Sequence, residues 1–372
     1  MSAVDELLSA YADPRAAALA FKARGGQVVG LIGSDVPEEI IAAAGLLPVR
    51  LRAETGASDA PADRYGEGGG NAVIRAFVAR LLDGSYDYVD HLVVATTPSY
   101  LGALFTFLRE IQRQDARFPR LPLQLFDFHH SASPVTRRFN RESADRLKAA
   151  AETWSGRAIA DDDLARAIAD SNAARAAVAR LQDLRLAGRI SGAEALALIG
   201  AGAMLPRAEY AAKLAAAVGE LAGRAVRPGP RVVFSGSETE TPDLYRRIEA
   251  EGLTIVADDQ GWGSRVAERP VAGDGDPLQA IVERYHFMAP APAKSSTEAR
   301  IAYLLDLVRR TDADGVIFAV RGLDHPAAWD APSQIAALED IGVAVVQLPP
   351  AAVASGPLGE ALAPLLKKTA HG

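Results

Sequence analysis

Residues 27–51 read QVVGLIGSDVPEEIIAAAGLLPVRL and decide the predicted fold. Two short apolar runs, Gln27–Ile32 and Leu46–Leu51, have the composition of buried parallel strands. Between them, Pro37 begins a predicted helix that carries two acids in its first turn, where the helix dipole is positive, and Gly45 ends it. A strand, a helix and a second strand in direct succession predict one compact βαβ unit.

The same alternation of strands and helices continues on both sides of a long helical segment. Six further strands are predicted at His91–Thr96, Leu121–Phe126, Arg231–Ser235, Leu253–Ala257, Gly315–Val320 and Val343–Leu348. Such a pattern predicts two doubly wound parallel-sheet domains with a cleft between them. The predicted units are an N-terminal α/β domain over 1–140, a helical connecting segment over 141–227 and a C-terminal α/β domain over 228–372.

The connecting segment is rich in Ala, Arg, Leu and Glu and has no strand pattern. Its predicted helices run from the acids at Asp161–Asp163 to Gly188, from the cap Ser191 to Ile199, and from Pro206 to Leu221. The sequence Arg227–Pro230 contains two prolines and cannot be helical, so it is predicted to be a linker. In the N-terminal domain, Arg64–Asn71 is glycine-rich and is predicted to be a flexible loop that enters a helix over Ala72–Leu82.

Composition and charge exclude several classes of protein. The 372 residues are 49% apolar and 23% charged, which is typical of a globular chain. The formal net charge of −7 provides no general basic field for nucleic acid or an anionic membrane, so an anionic ligand must be held by individual residues. No apolar run is long enough to span a membrane, and Met1–Asp13 carries acids where a secretory signal carries bases. We therefore expect a cytoplasmic protein.

The chain contains no cysteine. Disulfides, thiolate nucleophiles, cysteine-ligated zinc and iron–sulfur clusters ligated by the chain's own thiolates are excluded together. The sequence predicts no metal site.

Candidate binding residues lie in the loops after the predicted strands, where open α/β sheets hold their ligands. Ser34 and Thr97 each precede a predicted helix and either contact a ligand or cap that helix. Ser237, in the loop Gly236–Thr241, offers the same choice between an anion site and a cap. This loop lacks the lysine of a P-loop and the glycines of a dinucleotide fingerprint.

The loop Asp258–Arg265 carries the sharpest signal for a ligand. Arg265 is a candidate for binding phosphate or carboxylate, and Trp262 for stacking on an adenine or an acyl group. The alternative is an internal Asp258–Arg265 salt bridge with Trp262 as a loop plug. Arg321, after a later strand, is a second candidate cation for an anionic ligand.

Histidines offer two candidates for acid–base chemistry. Asp324 and His325 follow a predicted strand and are candidates for a catalytic acid/base pair. The adjacent pair His129–His130 has no fixed metal-ligand spacing, and solvated side chains are the favoured interpretation. The chain has no Gly-x-Ser-x-Gly motif, which argues against a hydrolase of that type.

Several stretches resemble the 2-hydroxyacyl-CoA dehydratase and benzoyl-CoA reductase family. They occur in the family's order and cover nearly the whole chain: Gly33–Gly45 with Leu47–Leu51, the helical segment with Asp163 and Asn172, Pro230–Ser237, Ile248–Asp259, Gly263–Arg265 and Ala313–Ile317. The resemblance implies two flavodoxin-like domains, an acyl-CoA substrate and a second, related subunit. It also implies a [4Fe–4S] cluster held by cysteines on the strand-end loops.

The cysteines that the resemblance implies are absent. Gly33, Pro98 and Gly261 stand at three of the expected positions, and a fourth is missing near Leu323-Asp324. Glycine, proline and leucine cannot ligate iron, so this chain cannot hold the cluster by the usual ligands. The sequence therefore predicts a cysteine-free subunit that contributes acyl-CoA contacts and an interface, while a cysteine-containing relative holds any cluster. The alternatives are a non-redox acyl-CoA-binding or regulatory protein on the same scaffold and unrelated cleft chemistry through His325 or the paired acids. We expect the chain to form a dimer, with the relative or with a second copy of itself, if it is either such a subunit or the non-redox binding or regulatory protein.

Overall fold

The described part of the chain contains two four-stranded parallel sheets. A computed structural model describes residues 1–53, 62–63, 65, 72–322 and 324–368. The strands are β1 (Val28–Ile32), β2 (Leu47–Arg50), β3 (His91–Ala95), β4 (Leu123–Phe126), β5 (Arg231–Gly236), β6 (Thr254–Asp258), β7 (Gly315–Ala319) and β8 (Ala344–Leu348). The strand orders are β2-β1-β3-β4 and β6-β5-β7-β8. The predicted α/β fold with two flavodoxin-like sheets is confirmed, and each predicted strand overlaps an observed one.

The two sheets have the same topology. In each, the first strand is an inner strand, the second lies at one edge beside it, and the third and fourth lie on its other side. In the first sheet, Val28 lies opposite Leu47 on the edge strand β2, and Val29 lies opposite His91 on β3. Pro48, which has no N–H to donate, is tolerated because β2 is an edge strand. The carboxyl ends of the strands therefore gather at one edge of each sheet.

Helices cover both sheets and fill the segment between them. In chain order they are α1 (Ala3–Ala12), α2 (Pro14–Lys22), α3 (Glu38–Ala43), α4 (Ala72–Leu82), α5 (Ser99–Gln114), α6 (Pro134–Ser155), α7 (Asp161–Leu186), α8 (Gly192–Ala201), α9 (Arg207–Leu221), α10 (Asp243–Ala250), α11 (Pro277–His286), α12 (Thr297–Thr311), α13 (His325–Glu339), α14 (Pro350–Ala354) and α15 (Gly359–Lys368). The predicted helix over Ala72–Leu82 is confirmed, whereas the predicted loop before it lies, apart from Tyr65, outside the described residues. Within the described ranges, no helix is long and apolar enough to cross a membrane.

Helix α7 joins the two halves of the molecule through buried ion pairs. Near its middle, Arg175 pairs with Glu39 of α3, in the first half. Near its end, Arg185 donates from Nη1 to Asp258 at 2.6 Å, and both side chains are fully buried. A buried pair of charges is costly to break, so these contacts fix how the connecting helices sit against both sheets.

One helix crosses a predicted domain division, and another packs across the two halves. Helix α6 runs through residues 140 and 141. On α11, Leu278, Ile281 and Tyr285 pack into a core shared with the first sheet, including Val29. The two halves are thus interlocked by packing, and the division at 140 and 227 remains a prediction.

Candidate functional site

The strand-end loops of the two sheets meet across the middle of the molecule. Arg50, at the end of β2, donates to the carbonyl of Gly261, in the loop after β6, at 2.9 Å. Lys294, before α12, donates to the hydroxyl of Ser34, after β1, at 2.6 Å. Residues of both halves therefore line the cavities at this meeting point.

The smaller cavity has a volume of about 90 Å³ and lies beside Gly33 and Gly261. Ser34, Trp262 and Arg265, which are predicted ligand residues, line it together. Its wall also contains four further arginines: Arg50, Arg175, Arg207 and Arg284. The guanidinium groups outnumber the one described carboxylate on this wall, Glu38, which pairs with Arg207, so the wall favours negative charge.

Arg265 is buried and engaged with the protein itself. It forms an ion pair with Glu238, and its Nη1 donates to the carbonyl of Pro290 at 3.1 Å. Burial tends to raise the pKa of Glu238, but Arg265 and then Arg50 outweigh this effect and lower it. The alternative Asp258–Arg265 salt bridge is wrong, because Asp258 pairs with Arg185.

Trp262 is 2% exposed and forms part of the cavity wall. The guanidinium of Arg50 stacks over its indole at 4.1 Å from the ring centroid. The indole Nε1 is buried and has no hydrogen-bond partner among the described residues. Trp262 therefore presents an unused donor in a cationic setting.

Ser34 and its neighbour Asp35 do not cap α3, whose N-cap is Pro37 without a side-chain hydrogen bond. Asp35 pairs with Lys294 and lies 3.2 Å from Nε2 of His130. Burial alone would raise the pKa of Asp35, but Lys294 and His130 prevail and lower it to about 2. Asp35 is thus an ionised anchor that holds Lys294 and His130 at the meeting point of the two halves.

The larger cavity has a volume of about 670 Å³ and brings together Ser237, Arg321 and Asp324 with Tyr100 of the first half. The hydroxyl of Ser237 accepts the backbone N–H of Arg321 at 2.9 Å, which joins the loops after β5 and β7. Burial raises the pKa of Tyr100 to about 12, so its hydroxyl remains a donor at neutral pH. Burial also raises the pKa of Glu240 on the same wall.

Two predicted site residues lie apart from these cavities. Thr97 lines an open cavity of about 570 Å³ with His129, His130 and Lys294, and it does not cap α5, whose N-cap is Pro98. His325 is exposed at the start of α13, and Asp324 caps that helix without a side-chain hydrogen bond. The structure therefore brings Asp324, but not His325, to the large cavity.

Sequence reasoning missed the buried ion pairs that shape the site. Glu39 and Arg175 are 136 positions apart, and Asp35 and Lys294 are 259 positions apart. No local spacing signals such pairs. The only signal in the sequence was the loop Asp258–Arg265, where paired acids and an arginine indicated that some of these residues would form ion pairs within the protein.

The two parallel sheets, with cavities where their strand ends meet, define a two-domain, doubly wound α/β protein with a cleft between its halves. The family model of the 2-hydroxyglutaryl-CoA dehydratase D-component matches residues 34–349, and the chain belongs to this family. The predicted resemblance is thereby confirmed.

Three relatives match this chain over most of their length. The chain is 29% identical to a benzoyl-CoA reductase subunit of Thauera aromatica over 82% of this chain and 81% of the relative. It is 24% identical to the beta subunit of (R)-2-hydroxyglutaryl-CoA dehydratase of Acidaminococcus fermentans, with 90% of each chain covered. The beta subunit of lactoyl-CoA dehydratase of Anaerotignum propionicum is also 24% identical, with 92% of each chain covered.

The residues of this chain do not fit a [4Fe–4S] cluster. The sequence has no cysteine, and a Cβ built on Gly261 would lie 2.6 Å from the carboxylate of Glu238. A Cβ on Gly33 would lie 2.7 Å from that of Ala95. Across the described ranges, no group of three or more His, Cys, Asp or Glu side chains is arranged to hold a metal ion. No step of chemistry is therefore assigned to a cluster on this chain.

Proposed function

We propose that this chain is a cysteine-free subunit of an acyl-CoA dehydratase or aryl-CoA reductase complex. It binds an acyl-CoA in its cleft and provides an interface, and a related, cysteine-containing subunit holds the [4Fe–4S] cluster. The predicted cytoplasmic location belongs to the same proposal.

The large cavity is the observation that carries the proposal. Its volume of about 670 Å³ lies within the range of small-molecule sites, roughly 300–1,000 Å³. It combines Arg321, which forms no ion pair with a described carboxylate, with the hydroxyl groups of Tyr100 and Ser237. A guanidinium suits the phosphates or carboxylate of an acyl-CoA, and hydroxyl donors suit a thioester carbonyl.

Asp324 is the candidate acid or base of this cavity, because it lines the wall on the same loop as Arg321. Tyr100 and the partly buried Glu240 can exchange hydrogen bonds with a bound acyl group, since burial favours the neutral form of both. Ser34, Trp262 and Arg265 line the smaller cavity, and Thr97 lines a separate open one, so none of them is assigned to the acyl-CoA in the large cavity.

The partner is supported by the relatives, each of which is named as a subunit. Since this chain offers no thiolate, cluster chemistry in such a complex requires ligands from another chain. The alternative is a non-redox acyl-CoA-binding or regulatory protein. That alternative shares the cavity but needs no cysteine-bearing partner for its function.

Calorimetric titration with a panel of CoA thioesters tests the proposed ligand. We expect saturable binding to the wild-type chain, and at least roughly tenfold weaker binding to Arg321→Gln, as for one lost hydrogen bond to a charged group. Arg138→Gln, which changes an arginine with a 79% exposed side chain on α6, is the matched control and should bind as the wild type does. No heat with any thioester would exclude the acyl-CoA site.

Co-expression with the cysteine-containing relative separates the two forms of the proposal. A subunit should co-purify with that relative, and the complex should turn over an acyl-CoA that neither chain turns over alone. Thioester binding without a complex would instead favour the regulatory alternative.

A further inference from the structure

We propose that the 90 Å³ cavity binds a small inorganic oxyanion of the phosphate or sulfate class, at the place where the family resemblance expects cluster-ligating thiolates. This inference concerns the smaller cavity and does not depend on acyl-CoA binding in the larger one.

The charge of the cavity wall favours an anion. Three of the five arginines have carboxylate partners, in the pairs Arg175–Glu39, Arg207–Glu38 and Arg265–Glu238. Arg50 and Arg284 have no ion pair with a described carboxylate. The wall therefore carries two guanidinium charges that no described acid neutralises in a direct pair.

Among the described residues, Arg50 and Arg284 are held by carbonyl groups and aromatic rings. Arg50 donates to the carbonyl of Gly261 at 2.9 Å, and Arg284 donates from Nε to that of Arg269 at 3.2 Å. Burial lowers the pKa of each arginine, against the opposing effect of nearby carboxylates, Glu238 at Arg50 and Glu39 at Arg284. Because neither guanidinium forms a direct ion pair with a described carboxylate, an anion in the cavity would stabilise this arrangement.

Buried polar groups without partners point to an occupant independently of the charges. Trp262 Nε1, Arg265 Nε and the hydroxyl of Ser171 are buried and lack hydrogen-bond partners among the described residues, and all three residues line this cavity. These residues are at least 95% buried, with exposures of 2%, 4% and 1%. Since buried polar groups are almost always hydrogen-bonded, a bound acceptor is expected between them. An oxyanion supplies several acceptor oxygens at once.

The size of the cavity restricts the occupant. A single water needs about 10–15 Å³ by this measure, so the cavity holds several waters or one tetrahedral oxyanion. It is far too small for a nucleotide or an acyl-CoA. The cavity lies beside Gly33 and Gly261, two of the positions where the resemblance implies thiolates, which are themselves negatively charged.

Thermal unfolding in defined salts tests the inference with phosphate, sulfate and chloride at equal ionic strength. The melting temperature of the wild-type chain should rise saturably with phosphate or sulfate beyond the rise in chloride, since a ligand that binds only the folded state stabilises it. Equal ionic strength removes general screening as a cause. An equal response to all three salts would overturn the inference.

Two variants assign the effect to the cavity. Arg284→Gln should reduce the affinity for sulfate at least about tenfold. The difference in melting temperature between the wild type and this variant should therefore be larger in sulfate than without it. Trp262→Phe keeps one aromatic ring and removes the N–H together with the rest of the indole, so it should fold with some loss of stability and bind several-fold more weakly. Arg138→Gln is the exposed control and should retain the wild-type response. If both cavity variants respond as the wild type does, the site is excluded.

Crystallography of the wild-type chain with selenate provides a measurement that needs no variant. Anomalous density is expected between Arg284 and Trp262, and coenzyme A should not displace it. Water alone in the cavity would contradict the inference, and displacement by coenzyme A would overturn it by assigning the site to a phosphate of that ligand.

Discussion

The carboxylate of Glu238 lies where a side chain on Gly261 would have to go. A Cβ on Gly261 would be 2.6 Å from Oε1 of Glu238, and the same oxygen accepts the N–H of Gly261 at 2.9 Å. Glu238 also forms an ion pair with Arg265, so an ion pair and a hydrogen bond both hold the loop after β6 in place. The position that the family resemblance assigns to a cysteine is thus part of an internal ion-pair network.

Gly33→Ala should destabilise the chain markedly, by roughly 2–4 kcal/mol. The backbone at Gly33 has a φ of +103°, which L side chains rarely adopt, and a Cβ there would lie 2.7 Å from that of Ala95. Urea-induced unfolding measures the loss.

Gly84→Ala is the matched control for this substitution. Gly84 has a φ of +81° but no heavy atom within 4 Å of the added Cβ, so this variant shows the backbone effect without crowding. Equal losses at the two positions would mean that Gly33 is not crowded in solution.

Arg265→Ala should lower stability by about 3 kcal/mol, the lower end of the range for breaking a buried pair, because Glu238 retains some exposure. The double variant Glu238→Gln/Arg265→Gln should lose less stability than the summed losses of the single variants Glu238→Gln and Arg265→Gln. Denaturant unfolding of the wild type, the two single variants and the double variant gives the coupling free energy. Additive losses would show that the pair does not stabilise the fold.

Local patterns allowed the strands and the five helices with stated bounds to be predicted, because burial and caps are encoded within each element. Gly45 has a φ of +79° at the end of α3, and α7 begins at Asp161, as expected. Partners of the charged residues could not be predicted, because Arg185 and Asp258 are 73 positions apart. Arg265 therefore looked available for a ligand in the sequence, whereas the fold places Glu238 beside it.

Asp35 should make the stability of the chain depend on acid pH. Its pKa is lowered from 3.8 to about 2 by Lys294 and His130 against the opposing effect of burial. A depressed pKa stabilises the folded state above the unfolded value of 3.8, and this contribution, about 2 kcal/mol, disappears as the pH falls toward 2.

Urea unfolding from about pH 5 downward tests this dependence with Asp35→Asn. The stability difference between the wild type and the variant should shrink by about 2 kcal/mol over that fall in pH. Asp243→Asn, which removes a carboxylate with a 73% exposed side chain, is the control for loss of one acid. A difference that stays constant with pH would contradict the role given to Asp35.

Trp329 should contribute to the proposed subunit interface. It is 78% exposed on α13, which is unusual for a tryptophan, and tryptophans are frequent anchors of interfaces. Trp329→Ala should weaken association with the partner by about 2 kcal/mol and leave the isolated chain equally stable. Val135→Ala, at a 72% exposed position on α6, is the control in sedimentation measurements. Unchanged association would place the interface elsewhere.

The iron and acid-labile sulfide contents of the separated chains decide whether this chain is the cluster-free member of a complex. We expect that this chain, purified anaerobically alone, carries no stoichiometric iron. Its complex with the cysteine-containing relative should carry a [4Fe–4S] cluster that stays with the relative when the chains are separated. Stoichiometric iron and sulfide on the isolated cysteine-free chain would contradict this assignment.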